Sequence, residues 1–357
     1  MLDIIGFLRE FCGTESISGF ERRAHEKAKA LIKPFFGDCA ETSSGGLIFN
    51  RRCADEAAPT LMFDTHLDDV GGVVTGIYEG GFLTFRSIGG LDARILPAAD
   101  MLIFGRETIP GVIASTPPHL TSAEERGKLP QIGDLLIDTG YELAELEKIV
   151  GTGDPVAFRP RFGRLLGSAV VGRSFDDKAC AACVLRAMEY LSKNCDNLKW
   201  NIAYSLASGE EVGAGGAAVG TINVMPDAAF VLDVDFAAQP GVSGSGAGKL
   251  GDGPMIAISG ATDRPLTDAL IEFARKKERK FQTVVSAGGT GTNADEVNIA
   301  LEGVPTAVVS LPLRNMHTYS EVIDTKDIEY TGDLLGEFIA DPDGLGLWYK
   351  NAKEAML

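Results

Sequence analysis

The sequence lacks the cysteine spacing of a disulfide-stabilised protein. Its 6 cysteines are scattered over 357 residues, a distribution that in a chain of this length is typical of reduced cytosolic thiols. Cys180 and Cys183 form a C-x-x-C pair, but no second pair accompanies them. We interpret them as core-facing thiols one helical turn apart rather than as a redox or zinc motif.

Long apolar runs are also missing. No run approaches the roughly 18 residues that a membrane span requires. The first ten residues have no basic region and mix acidic with apolar side chains, which predicts an amphipathic helix rather than a signal peptide. We therefore expect a cytoplasmic protein without a membrane partner.

Positive charge is scarce. Lysine and arginine number 33 against 50 aspartates and glutamates, and the net charge is −17. Such a surface repels the phosphate backbone, so we expect no nucleic-acid partner. With 45% hydrophobic residues the chain can bury a sizeable core, and its length indicates about two domains.

The sequence shows two different secondary-structure patterns along its length. Alternating strand and helix patterns occupy residues 1–70 and 164–357, whereas residues 71–163 consist of short β-like segments separated by glycine and proline. The alternating pattern predicts an α/β domain with a doubly wound mixed sheet, built from both ends of the chain. The second predicts a small barrel or sandwich inserted into that domain.

An amphipathic helix is predicted from about Phe20 to Ile32, ended by Pro34. Ser18 and Glu21 before it have the spacing of a capping box. His25 lies on this helix among charged residues, which predicts a solvent-exposed histidine. His119, in the inserted region, is assigned a turn-stabilising role.

Acidic and histidine side chains interrupt the α/β pattern at several points, each at a predicted strand end or helix start. Because loops gather at the carboxyl edge of such a sheet, we expect these side chains to lie close together. Glycines on both sides of Glu210 and Glu211 supply a bend that lets both face one site. The residues are His66 with Asp68, Asp176 with Asp177, Glu210 with Glu211, Asp233 with Asp235, and His317.

The small number of histidines indicates which kind of metal site the chain could form. The chain has 4 histidines, and only His66 and His317 fall at these points. Two histidines with several carboxylates and no thiolate suit two zinc or cobalt ions that share a bridging carboxylate. Asp233 leaves an apolar strand, so its carboxylate must be paired or coordinated to offset its desolvation.

Ordered motifs along the chain resemble metallopeptidase family 42, the cytosolic dinuclear aminopeptidases of the glutamyl-aminopeptidase or TET type, some of which have been labelled endoglucanases. The resemblance covers nearly the whole chain, including Pro110–Ile113 and Pro117–His119 in the inserted region. The main motifs are Asp64–Gly71, Phe175–Lys178, Gly209–Gly213, Asp233–Asp235 and Arg314–Thr318.

The resemblance implies a role for each site residue. His66 and Asp233 would hold one metal ion, Glu211 and His317 the other, and Asp176 would bridge them. Glu210 would be the general base that deprotonates a metal-bridging water, the nucleophile, and Asp68 would orient His66. The metal would be zinc, with cobalt or manganese as alternatives.

The resemblance also implies a wider organisation. Peptides would be the substrates, and residues 71–163 would form a PDZ-like oligomerisation domain between the two parts of the catalytic domain. The homo-oligomer that the resemblance implies is a tetrahedral assembly of twelve subunits, and the sequence itself does not distinguish a dimer from a dodecamer. Three residues depart from the family pattern, namely Lys178 in place of arginine, Cys180 in place of glycine and Asn293 in place of aspartate. Asn293 removes a charge from a loop expected to line the substrate pocket, so this departure concerns side-chain specificity more than activity.

Three alternatives stay open at this point. A metal-dependent deacylase or amidohydrolase would use the same metals, and release of an amino acid from free but not N-acetylated peptides would distinguish it. A glycosidase would use Glu210 and Glu211 without metals, so inhibition by a chelator argues against it. A non-catalytic assembly protein predicts no bound metal.

Overall fold

The computed structural model describes residues 2–55, 57–122, 124, 128–244 and 246–356. Its strands form an eight-stranded sheet, a closed barrel and a three-stranded sheet. The helices are α1 (Ile4–Phe11), α2 (His25–Phe36), α3 (Leu143–Ile149), α4 (Phe175–Asn194), α5 (Gly215–Val224), α6 (Arg264–Lys276), α7 (Ala294–Val297), α8 (Thr325–Ala340) and α9 (Leu345–Met356). The strands are β1 (Asp38–Glu41), β2 (Leu47–Arg51), β3 (Thr60–His66), β4 (Gly71–Tyr78), β5 (Phe82–Ile88), β6 (Asp100–Phe104), β7 (Thr108–Ile113), β8 (Leu136–Asp138), β9 (Pro155–Phe158), β10 (Phe162–Arg164), β11 (Ala169–Gly172), β12 (Asn201–Ala207), β13 (Ala228–Phe236), β14 (Met255–Ser259), β15 (Gln282–Ser286), β16 (Thr306–Leu313) and β17 (Glu321–Asp324).

The eight-stranded sheet is mixed and has helices on both faces. Its strand order is β1-β2-β12-β3-β13-β16-β14-β15. Phe63 and Phe230 stack on one face, in the core shared with α4 and α8. Met62 and Val231 lie on the other face with Ala217 of α5 and residues of α7. The predicted doubly wound α/β fold is therefore confirmed.

The central strands of this sheet position the site. β12, β3, β13 and β16 are neighbours and run parallel, so their carboxyl ends meet at one edge of the sheet. Ligands bind at this edge in open α/β sheets. The apolar sequences of these strands suit them to burial on both faces.

The inserted region forms a closed antiparallel barrel in the order β4-β5-β8-β7-β6-β9. The short β-like segments expected in residues 71–163 are thus strands of one barrel. The barrel has its own apolar core, which includes Phe85, Ile103 and Ile137. The structure thus takes the barrel form of the two that the sequence allowed.

The first part of the chain differs from the prediction. A 3-10 turn at Glu21–Ala24 precedes α2, and α2 continues to Phe36 with Pro34 inside its last turn. Proline is tolerated there because it removes only one hydrogen bond close to the end of the helix. Ser18 and Glu21 form no capping box with each other, since both side chains bond to other parts of the fold.

The prediction that His25 is exposed is wrong. Its side chain is buried, and its Nε2 lies 2.8 Å from the carbonyl oxygen of Gly45. The charged neighbours of His25 in sequence point to solvent, while the histidine turns towards the β1–β2 hairpin. In the described part of the chain, no helix has both the length and the apolar character needed to cross a bilayer.

Candidate metal centre

His66 and Asp233 come together because their strands are adjacent. His66 is the last residue of β3, and Asp233 lies near the carboxyl end of the neighbouring parallel strand β13. The Nε2 atom of His66 lies 4.0 Å from Oδ1 of Asp233. Both side chains are buried at the edge of the sheet.

Asp176 occupies the centre of the cluster. It lies at the start of α4, and the peptide bond that joins it to Asp177 is cis. Its Oδ1 is 3.0 Å from Nε2 of His66, and its Oδ2 is 3.3 Å from Nε2 of His317. The two oxygens of one carboxylate therefore face two different histidines.

The glutamate pair lies on a short turn that follows β12. Gly209 and Gly213, which flank this turn, both have positive φ angles, of 70° and 123°. This conformation is strained for residues with a side chain, and it supplies the bend expected from the sequence. Oε1 of Glu211 is 3.3 Å from Nε2 of His317.

The carboxylate of Asp68 stabilises this turn through hydrogen bonds with its backbone. Its Oδ1 accepts a hydrogen bond from the backbone N–H of Glu210 at 3.0 Å, and its Oδ2 accepts one from the N–H of Glu211 at 3.1 Å. The nearest oxygen to Nδ1 of His66 is the backbone carbonyl of Asp68, at 2.9 Å, whereas the Asp68 carboxylate is 3.6 Å away. The carboxylate thus holds the backbone of both glutamates, and Ser18 donates a further hydrogen bond to it at 2.7 Å.

Burial is the largest influence on the pKa values of the carboxylates in the cluster. It raises the pKa of Glu211 to about 9, with the charge of Asp176 adding to the increase, and raises the pKa of Asp233 well above its ordinary value. Burial also acts to raise the pKa of Asp176, but hydrogen bonds with His317 and His66 outweigh it and lower that pKa. Several buried carboxylates thus share one space, an arrangement that a bound cation stabilises.

The donor set fits divalent metal ions. Three groups of side chains bring their ligand atoms within 4.8 Å of one another. Imidazole nitrogens and carboxylate oxygens are donors that zinc, cobalt and manganese accept. The groups are His66 with Asp177 and Asp233, His66 with Glu210 and Glu211, and Asp176 with Glu211 and His317.

Glu321 is a part of the site that the sequence reasoning missed. Its Oε1 accepts a hydrogen bond from the N–H of His317 at 3.0 Å, while its Oε2 accepts from the N–H groups of Phe175 and Asp176 at 2.7 and 3.3 Å. One buried carboxylate therefore ties together the backbone of two cluster residues. The available signal was an acidic residue four positions after His317 in a polar loop.

The three residues that depart from the family pattern are buried and bond to segments next to the cluster. Asn293 is buried, and its Nδ2 donates to Oδ1 of Asp64 at 2.7 Å. Its loop lines the adjacent cavity through Thr290, Gly291 and Thr292 instead. Lys178 is also buried and pairs with Asp69 at 2.9 Å.

Cys180 lies against the strand that carries Asp233. Its Sγ is 3.1 Å from the carbonyl oxygen of Asp233. Cys180 and Cys183 are both buried and unbonded to another cysteine, as expected for core-facing thiols.

Comparison with known proteins places the cluster in context. Residues 45–334 match the family model described as M42 glutamyl aminopeptidase. The lysyl aminopeptidase of Pyrococcus furiosus is 31% identical over 333 residues, which cover 91% of this chain and 93% of that protein.

Solved structures resemble the chain over almost its full length. The TET aminopeptidase of a marine-sediment Thaumarchaeota archaeon has a TM-score of 0.90 at 27% identity, and the match covers 98% of each chain. The Pyrococcus horikoshii TET1 peptidase, described as assembling into a tetrahedron or a large octahedral shell, has a TM-score of 0.81 at 29% identity. That match covers 95% of this chain and 100% of the other.

Proposed function

This chain belongs to the M42 glutamyl aminopeptidase family and is a metal-dependent aminopeptidase, and on that premise we propose how its residues divide the work. His66 and Asp233 hold one divalent ion, Glu211 and His317 hold the second, and Asp176 bridges the two. Zinc is the proposed metal, with cobalt and manganese as alternatives. Peptides with a free amino terminus are the substrates.

The observation that carries this assignment is the position of Asp176. Its two carboxylate oxygens face Nε2 of His66 and Nε2 of His317 at 3.0 and 3.3 Å. A carboxylate placed between two imidazoles in this way suits a pair of ions that share one ligand. Glu321 positions Asp176 and His317 by accepting hydrogen bonds from their backbone N–H groups. Asp68 does the same for Glu210 and Glu211.

Metal ions bound at this centre supply Lewis acidity, which acidifies a water molecule and polarises the scissile carbonyl. Glu210 accepts the proton of the attacking water and then donates it to the nitrogen of the departing amine. We assign Glu211 to the ligand set instead, because it groups with Asp176 and His317 and its Oε1 lies 3.3 Å from Nε2 of His317. Asp68 aims Glu210 by accepting the hydrogen bond of its backbone N–H.

Replacement of Glu210 by glutamine tests the assignment of the base. We expect the variant to keep its metal content, measured by plasma mass spectrometry, and to lose turnover of aminoacyl p-nitroanilides by a factor of about 100 or more. The matched variant Glu211→Gln should instead lose metal. Near-normal turnover in Glu210→Gln would contradict the assignment of Glu210 as the general base.

We also propose that the protein self-associates, as a dimer or a dodecamer, through a domain formed by residues 71–163 between the catalytic segments 1–70 and 164–357. The assembly described for the TET1 peptidase supports this proposal. The scattered cysteines favour the cytoplasm as its location. Light scattering coupled to size-exclusion chromatography measures the oligomeric state, and a monomer at micromolar concentration contradicts the proposal.

A further inference from the structure

A cavity of about 280 Å³ opens beside the metal-binding cluster. The residues that line it include the hydroxyl-bearing Ser286, Thr290 and Thr292 and the apolar Phe236 and Met316. No lysine or arginine is among the described residues that line it. An acidic substrate side chain that entered this cavity would therefore find no cationic side chain outside the metal centre to pair with.

Asp235 gives the cavity an unbalanced negative charge. It follows Asp233 by two positions on β13, so the two side chains point to the same face of the strand. Its carboxylate accepts a hydrogen bond from the N–H of Phe236 at 2.7 Å. Within the described ranges, Asp235 forms no ion pair with lysine or arginine.

The position of Asp235 along the strand separates two possible partners. Two residues of a strand span about 7 Å, so Asp235 lies beyond the cluster in which Asp233 takes part. The α-ammonium group of a substrate is attached next to the scissile carbonyl and must stay near that cluster. The ammonium group of a lysine side chain stands at the end of a four-carbon stem and can reach farther.

We propose that this cavity receives the side chain of the N-terminal substrate residue, and that Asp235 selects a basic one. The aliphatic stem of lysine or arginine packs against Met316, while the cationic head pairs with the Asp235 carboxylate. Glutamyl and aspartyl substrates are disfavoured by repulsion from the same carboxylate. This proposal rests on the proposed aminopeptidase function and adds the substrate class to it.

The test compares three p-nitroanilides whose aminoacyl groups are lysyl, norleucyl and glutamyl. Norleucine has the same four-carbon stem as lysine without the ammonium group, so it isolates the contribution of the charge. We expect the wild-type enzyme to have its highest kcat/KM with the lysyl substrate. Asp235→Asn should lower the lysyl-to-norleucyl ratio of kcat/KM at least about tenfold, because it removes a charge-assisted contact.

Binding provides a readout that does not depend on turnover. Isothermal titration with free L-lysine and with free L-norleucine should show tighter binding of lysine to the wild type, and Asp235→Asn should lose that difference. Asp268→Asn serves as the matched control, because Asp268 lies on α6, outside the cavity, and pairs with Arg264. This control should keep the wild-type preference.

The outcomes separate the two proposals. If the wild type releases p-nitroaniline from none of the three substrates, the proposed function and the basic preference both fail. If it is active but prefers the norleucyl or glutamyl substrate, the function stands and the basic preference is overturned. An equal loss for all substrates in Asp235→Asn also overturns it, since that result assigns Asp235 to the α-ammonium group or to the metal centre.

Discussion

Individual carboxylates in this protein act through the backbone as often as through other side chains. Asp68 accepts the N–H groups of Glu210 and Glu211, and Glu321 accepts those of Phe175, Asp176 and His317. Such contacts fix where a neighbouring side chain begins, so they orient ligands without touching a metal. They also satisfy N–H groups that burial would otherwise leave without partners.

Glu321→Gln is expected to weaken metal binding about 10- to 100-fold. An amide has a single acceptor oxygen, so one of the N–H groups near His317 or Asp176 would face an amide nitrogen instead. Competition with a chromogenic chelator measures the metal dissociation constant. The control is Glu189→Gln, since Glu189 is a buried carboxylate that accepts the N–H of Leu2 at 3.1 Å.

The two variants distinguish positioning from general stability. Both should lower the unfolding temperature, because each replaces an acceptor oxygen of a buried, hydrogen-bonded carboxyl group by an amide nitrogen. Only Glu321→Gln should raise the metal dissociation constant. Equal metal affinity in wild type and Glu321→Gln would contradict a positioning role.

At the level of secondary-structure elements, α4 and α8 pack tightly against each other. Gly332 of α8 faces α4 so closely that a Cβ atom there would lie 2.4 Å from Cβ of Arg186 and 2.8 Å from the carbonyl oxygen of Cys183. α4 begins with Asp176, so the seating of α8 affects the helix that carries the central carboxylate. Close packing of this kind leaves no room for an added methyl group.

Gly332→Ala is expected to lower the free energy of unfolding by about 1–3 kcal/mol. The matched control is Gly346→Ala in α9, where an added Cβ meets no atom within 4 Å. That change should be neutral or slightly stabilising, because alanine favours a helix more than glycine does. Chemical denaturation measures both, and similar values for the two variants would refute the packing argument.

The order and type of these elements could be predicted from the sequence, whereas several contacts could not. Apolar runs such as Thr60–Phe63 indicate strands because burial on both faces leaves a clear pattern. The partners of Ser18, Glu21 and His25 depend on where distant segments fold. Ser18 bonds to Asp68, and Glu21 accepts the N–H of Gly209 at 3.1 Å, although their spacing resembles a local capping box.

The sequence predicted which histidine and acidic residues lie together more completely than it predicted the contacts that support them. Histidine and acidic residues at strand ends are rare enough to be noticed, and the family resemblance assigned each a role. Asp68 and Glu321 support the site through backbone groups, and a sequence does not display which backbone groups lie together. The position of Asn293 behind Asp64 was hidden for the same reason.

The chain as a whole concentrates negative charge, with a net charge of −17, and buries part of it in one cluster. Divalent ions bound there would offset the desolvation of these carboxylates, which would couple metal binding to folding. A ligand that binds only the native state raises its stability by about 2.7 kcal/mol at 100 times its dissociation constant. The metal centre should therefore influence the stability of the whole protein.

Removal of metal with a chelator should lower the unfolding temperature, and added zinc, cobalt or manganese should restore it in a concentration-dependent manner. Differential scanning fluorimetry with plasma mass spectrometry in parallel measures stability and metal content together. His317→Ala should respond less to added metal, because it lacks one proposed ligand. An unchanged unfolding temperature after complete removal of metal would contradict the coupling.

The inserted barrel contacts His317 of the cluster through the carbonyl oxygen of Gly90. Gly90 lies in the loop after β5, and its carbonyl oxygen is 3.0 Å from Nδ1 of His317. A backbone carbonyl accepts but cannot donate, so it selects the histidine tautomer with the proton on Nδ1 and the lone pair on Nε2. The barrel loop thus determines which ring nitrogen is available for coordination, and a barrel transplanted from a relative must bring a carbonyl to the same point to preserve that chemistry.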